Sequence, residues 1–128
     1  YIIIYRYNGR LTDDSVDHKI KEEGFKFQNF YKFSKMIDIE HYDAIWIVDD
    51  DIEMETEEIN KMFNLFDTND LWLAQPSYTK NSSSGWNISI QDNNYHLRFT
   101  NFVENGVSVF SNQALKLCIN TMKDIKSG

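Results

Sequence analysis

The chain has 128 residues, 41% of them hydrophobic and 15% aromatic, which suffices for one cored domain and is short for two. Thirteen basic against 20 acidic residues leave a net charge of −7, with the basic residues scattered rather than striped, so nucleic acid and anionic membrane surfaces are repelled. No apolar run approaches the roughly 18 residues of a membrane span, and the single cysteine, Cys118, excludes an internal disulfide framework and a cysteine zinc site.

Tyr1-Ile2-Ile3-Ile4-Tyr5, stopped by Asn8-Gly9, is a continuous apolar run and predicts a strand covered on both faces at Ile2 to Tyr5. Leu11 to Gly24 is polar and reads as a loop with a helical turn. Phe30, Phe33 and Ile37 recur at helical spacing and predict a helix over Phe25 to Ile39. Ala44-Ile45-Trp46-Ile47-Val48 predicts a second buried strand, ending abruptly in Asp49-Asp50-Asp51. Thr56 is placed to cap a helix reaching Phe66, with Glu57 and Glu58 in its first turn and an apolar stripe of Ile59, Met62, Phe63 and Phe66.

Leu71 to Ala74 reads as a third strand, closed by Gln75-Pro76, and Lys80 to Gly85 as a mobile Ser-rich loop. Asn87 to Ile90 and Tyr95 to Thr100 predict a hairpin around Asp92-Asn93-Asn94, and Phe102 to Phe110 a further strand-like run broken at Asn105-Gly106. Ser111 caps a last helix with Leu115, Cys118, Ile119 and Met122 on one face, which makes Cys118 a buried, inert thiol. This alternation of strand and helix predicts an α/β fold. The expected sheet is mixed and mostly parallel, with Ile2 to Tyr5, Ala44 to Val48 and Leu71 to Ala74 as neighbours and helices on its faces. Ligands of such sheets gather beyond the carboxyl ends of the strands. Asp49 to Asp51 fall there.

Three carboxylates packed together repel one another, and a divalent cation relieves the repulsion. In an extended segment Asp49 and Asp51 point to one side and Asp50 to the other, so the outer pair can share Mg²⁺ or Mn²⁺ and leave room for phosphate oxygens. An EF-hand loop beginning at Asp49 fails, because it needs Gly at Met54 and Glu at Asn60. A phosphatase of the aspartyl type is disfavoured by Glu53 two residues after Asp51. His18, His41 and His96 share no ligand spacing. Trp86, in the Ser-rich loop, is a candidate to stack on a sugar ring, and Gln75 and Asn101, polar residues at strand ends, are candidates to orient a ligand.

Tyr42-Asp43-Ala44-Ile45-Trp46-Ile47-Val48-Asp49-Asp50-Asp51-Ile52 resembles the D-x-D region of GT-A glycosyltransferases. Ala74-Gln75-Pro76-Ser77 and Phe102 to Ser111 are similar to the Q-P-A and F-V-E…F-S segments of a glycosyltransferase-like family, and Tyr5-Arg6-Tyr7-Asn8-Gly9 to its aromatic segment ending in D-G. Val107-Ser108 departs from it where the family has small residues and proline. The resemblance spans Tyr1 to about Met122. It implies a GT-A-like domain, truncated at both ends, in which Asp49 and Asp51 hold a metal on the diphosphate of a nucleotide-sugar donor and Asp50 accepts a ribose hydroxyl. It also implies that Glu104, presented where Phe102-Val103 meets Asn105-Gly106, is the general base toward an unknown acceptor.

The sequence reading is therefore a nucleotide-sugar-dependent transferase using Mn²⁺ or Mg²⁺. A metal-dependent phosphatase or phosphotransferase, and a non-catalytic truncated domain, are the alternatives. With no targeting segment and a first residue of Tyr1, the expectation is a cytoplasmic excerpt of something longer.

Overall fold

The computed structural model describes residues 16–126, apart from Lys19, Lys21, Ser84 and Gly85. The expected strand at Ile2 to Tyr5 lies outside the described residues. Helix α1 runs from Lys26 to Phe33, strand β1 from Ala44 to Val48, helix α2 from Thr56 to Thr68, strand β2 over Leu73–Ala74, strand β3 from Val107 to Ser111 and helix α3 from Asn112 to Met122.

Helix α1 is shorter than its apolar spacing predicts. The Ser34 hydroxyl donates to Tyr31 O at 2.7 Å, and Lys35 N and Met36 N bond three residues back, to Lys32 O and Phe33 O. Tightening the last turn in this way ends the helix before Ile37. Helix α2 is capped one residue earlier than expected. Glu55, not Thr56, stands at the N-cap, and the Glu58 side chain accepts its backbone N–H at 3.3 Å. The helix closes on Asp70, whose φ of 48° lets Leu71 N reach back to Phe66 O at 3.1 Å. Helix α3 starts as its sequence predicts, with the Ser111 side chain accepting from Ala114 N at 3.1 Å.

The three strands form one sheet in the order β1-β3-β2, and both ladders are antiparallel. The expected mostly parallel arrangement, with β1 and β2 as neighbours, is thus corrected. Strand β3 lies between them, because Val107, Ser108, Val109 and Phe110 are all buried and only a central strand is covered on both faces. Strands β1 and β2, each antiparallel to β3, run in the same direction with β3 inserted between them. Strand β2 is only two residues long. The hairpin expected over Asn87 to Thr100 does not form: Asn87–Ser89 is a 3-10 turn, and Ile90 makes an isolated parallel bridge to Tyr78. The strand-like run from Phe102 becomes strand only at Val107.

Alternation decides which face of the sheet is covered by helices. Ile45 and Ile47 stand opposite Phe110 and Ser108, and this face joins Phe27 and Phe30 of α1 and Leu115, Ile119 and Met122 of α3 in one core. Each fully buried side chain of this size contributes about 1.5–3 kcal/mol. Cys118 is half-buried beside this core rather than fully enclosed, and burial pushes its thiol pKa up. Of α2, Phe66 alone is buried. No helix among the described residues is long and apolar enough to cross a membrane.

Candidate functional site

The register of the central strand builds the site. Val48 pairs with Val107, and one residue further Asp49 N donates to Gly106 O at 2.8 Å. The end of β1 therefore meets the entry into β3, with Asp49 against the Asn105-Gly106 turn. On the other side of β3, Ala74 pairs with Val109, so Gln75 leaves β2 at the same edge. The Gln75 side-chain oxygen accepts the Glu104 N–H at 2.5 Å, and Ser108 Oγ donates to Glu104 O at 2.8 Å. Asp49, Gln75 and Glu104, separated by 26 and 29 positions along the chain, are neighbours because both outer strands end where the central one begins.

Lys26, the first residue of α1, closes the arrangement. Its ammonium donates to Asp49 Oδ1 at 2.6 Å and to Asn105 O at 2.6 Å, with the lysine side chain 13% exposed and that of Asp49 35%. The other carboxylate oxygen faces Gly106 and Tyr78. A methyl group at Gly106 would lie 3.0 Å from Asp49 Oδ2 and 3.3 Å from the Tyr78 hydroxyl, so it would press on both side chains, and space rather than backbone conformation favours glycine there. Burial, and then the negative charges of Glu104, Asp49 and Asp51, hold the Tyr78 hydroxyl above the ordinary tyrosine pKa. Of the three acids, Asp49 stands next to this hydroxyl across Gly106, and Glu104 and Asp51 act on it as charges.

Asp50 and Asp51 form a turn and are exposed. The strand alternation that sets Asp49 and Asp51 on one side therefore ends at Asp49, and the proximity of Asp51 to Tyr78 is a product of the turn. Gln75 spends its amide on the backbone, accepting from Glu104 and donating to Pro76 O at 3.3 Å, so it positions the Glu104 loop. Trp86 is 61% exposed and packs its edge on Phe102, with ring centroids 5.6 Å apart. Asn101 is exposed in the bend just before Phe102. The structure thus brings Asp49, Asp51, Glu104 and Gln75 together, and leaves Trp86 and Asn101 on the segment leading to them.

Among the described residues, no three or more His, Cys, Asp or Glu side chains stand together as a metal-holding group. With Asp49 Oδ1 on Lys26, the donor set left for a cation is Asp49 Oδ2 and the exposed Asp51. Two carboxylates are enough for Mg²⁺ only when phosphate oxygens and water complete the shell. Among the described residues there is no closed protein cage for a cation.

Lys26, Tyr78 and Gly106 were not legible as site residues. Lys26 carries no local signal, since a lysine at a helix start reads as a solvated residue. The Asn105-Gly106 pair reads as a turn. Only its register opposite Asp49 reveals how little room a side chain would have there.

Comparison with protein-family models, with curated proteins and with solved structures finds no match to this chain.

Proposed function

We propose that this chain is a GT-A-like glycosyltransferase domain that binds a nucleotide-diphosphate sugar with Mn²⁺ or Mg²⁺ and transfers the sugar to an acceptor. The observation that carries the reading is that the end of β1 sets Asp49 against the Gly106 turn and Tyr78, at the edge where Gln75 holds the backbone of Glu104. Asp49 and Asp51 would hold the cation, which neutralises charge on the departing diphosphate when bound. Asp50, exposed on the same turn, is free to meet a ribose hydroxyl. Glu104, its backbone fixed by Gln75 and Ser108, takes the acceptor proton. The Tyr78 hydroxyl, kept protonated, is a neutral donor among these acids.

The test is calorimetric titration with UDP- and GDP-sugars, in Mn²⁺ and in EDTA. Saturable binding in Mn²⁺ alone, lost in Asp51→Asn with an unchanged or raised melting temperature, is the expected result. Glu104→Gln should keep donor binding and lower turnover by roughly 10²–10⁴. Equal binding in EDTA, or no binding of any donor, overturns the reading, and hydrolysis of simple phosphate esters would turn it toward a phosphatase.

One observation favours the non-catalytic alternative: Lys26 already supplies Asp49 with a counter-charge that also ties α1 to the β3 entry. On that view Asp49 is a structural acid, and Asp49→Asn destabilises the protein with no metal present.

A further inference from the structure

Beside Ile90 and Gln91, the backbone partners of Tyr78, lies an open surface cavity of about 320 Å³, at the lower end of small-molecule site volumes. Tyr78 N donates to Ser89 O and Gln91 N donates to Tyr78 O, both at 2.8 Å, so the bridge that fixes Tyr78 also fixes one wall of this cavity. Apart from Ile90 its lining is polar, and includes Lys80, Asn87, Gln91, Asp92 and Arg98.

Two cations converge here in a chain whose net charge is −7. Arg98 is preorganised: its Nη2 donates to the carbonyls of Ile88 and Ile90, each at 2.7 Å, which holds the planar fork in place and leaves its other N–H groups for a ligand. Lys80 has no ion-pair partner among the described residues. The acid in the lining, Asp92, is occupied on one oxygen, where Asn94 N at 3.0 Å and Asn94 Nδ2 at 2.8 Å both donate. Its second oxygen and the amides of Asn87 and Gln91 supply the mixed donors and acceptors that hydroxyl groups need. A fixed guanidinium and an exposed ammonium call for an anionic group, and the surrounding amides call for a polyol attached to it.

We propose that this cavity binds a monosaccharide carrying one anionic group, a phosphate or a carboxylate, with Arg98 and Lys80 on the anion and Asn87, Gln91 and Asp92 on the hydroxyls. The site shares no side chain with the acidic cluster and does not depend on the transferase reading.

The experiment is ¹H–¹⁵N NMR titration of the whole chain in EDTA, which keeps any metal-dependent binding silent. The probes are glucose, galactose and mannose, each free and as the 6-phosphate, with glucuronate, galacturonate and inorganic phosphate. Saturable shifts centred on Asn87, Gln91 to Asn94 and Arg98 are expected from at least one charged sugar. The matching free sugar and inorganic phosphate should each bind at least about tenfold more weakly, the size of one charge-assisted hydrogen bond. Response to the 6-phosphates or to the uronates assigns the anion as phosphate or carboxylate. Lys80→Gln, at an exposed position without a partner, should keep the fold and lose about tenfold in affinity; Arg98→Gln should lose more but also releases two carbonyls. No saturable shift with any charged sugar, inorganic phosphate binding as tightly as the sugar phosphates, or an unaffected Lys80→Gln overturns the proposal.

Discussion

Leu115 and Asp49 mark two regions of this fold that are held by different physics. Leu115 is 1% exposed and shares its core with Phe27, Phe30 and Phe110, so many weak contacts fix it and no single neighbour is decisive. Asp49 keeps about a third of its side chain in solvent, and one ammonium and one backbone bond fix it. A region of the first kind tolerates a change of partner if volume is kept. A region of the second kind depends on pairs, and its weakness is what leaves charged groups available for a ligand.

The comparison is tested most strongly in the core. Leu115→Ala should lower the free energy of unfolding by about 2–5 kcal/mol, measured by urea denaturation, because the cavity it leaves lies between a helix and a sheet that cannot both collapse. A loss under about 1 kcal/mol would mean that α3 is not seated on the sheet as described.

The edge should respond less, and pairwise. Lys26→Met should cost about 1 kcal/mol, between the few tenths of an exposed ion pair and the 3–5 kcal/mol of a buried one broken on one side. Combined with Asp49→Asn, the double variant should be more stable than the two single losses add to, since the second change removes the carboxylate that the first stranded. Strict additivity would show that the contact carries no energy and that the edge is held by the β1–β3 register alone.

The smallest effect concerns Tyr78. In an alkaline absorbance titration, a step above the ordinary tyrosine range is expected, and Tyr78→Phe should remove it. Since the folded pKa is raised above the unfolded value, the neutral hydroxyl's contribution to stability is complete below about pH 10 and disappears as the pH climbs through the folded value. Glu104→Gln should move the step down further than Asp51→Asn, following the order of their influence on the hydroxyl. A Tyr78 that ionises at the ordinary tyrosine pKa would place the acids elsewhere.

Local patterns carried the elements whose causes are local. The i, i+3, i+4, i+7 stripe of α2, the Ser111 cap of α3 and the apolar run of β1 each concern residues within one turn or one strand, and each stands where its pattern predicts, give or take an end. The errors lie where a side chain takes backbone carbonyls that the apolar spacing does not count. Helix α1 stops at Phe33 because a serine hydroxyl competes for its carbonyls. The segment around Ile88 and Ile90 turns instead of extending because Arg98 gathers both carbonyls.

By itself the sequence determined an α/β chain with three helices, an acidic turn at the end of an apolar strand, half-buried rather than buried as expected, and a glutamate at the entry to another. The tertiary structure decided that β3 inserts antiparallel between β1 and β2, which brings Asp49, Gln75 and Glu104 to one edge and adds Lys26, Tyr78 and Gly106. The physical reason is that hydrophobic alternation fixes which face of a strand is buried, whereas the choice of neighbour and direction depends on which strand most needs cover on both sides. That comparison exists only once all the strands compete for the same core.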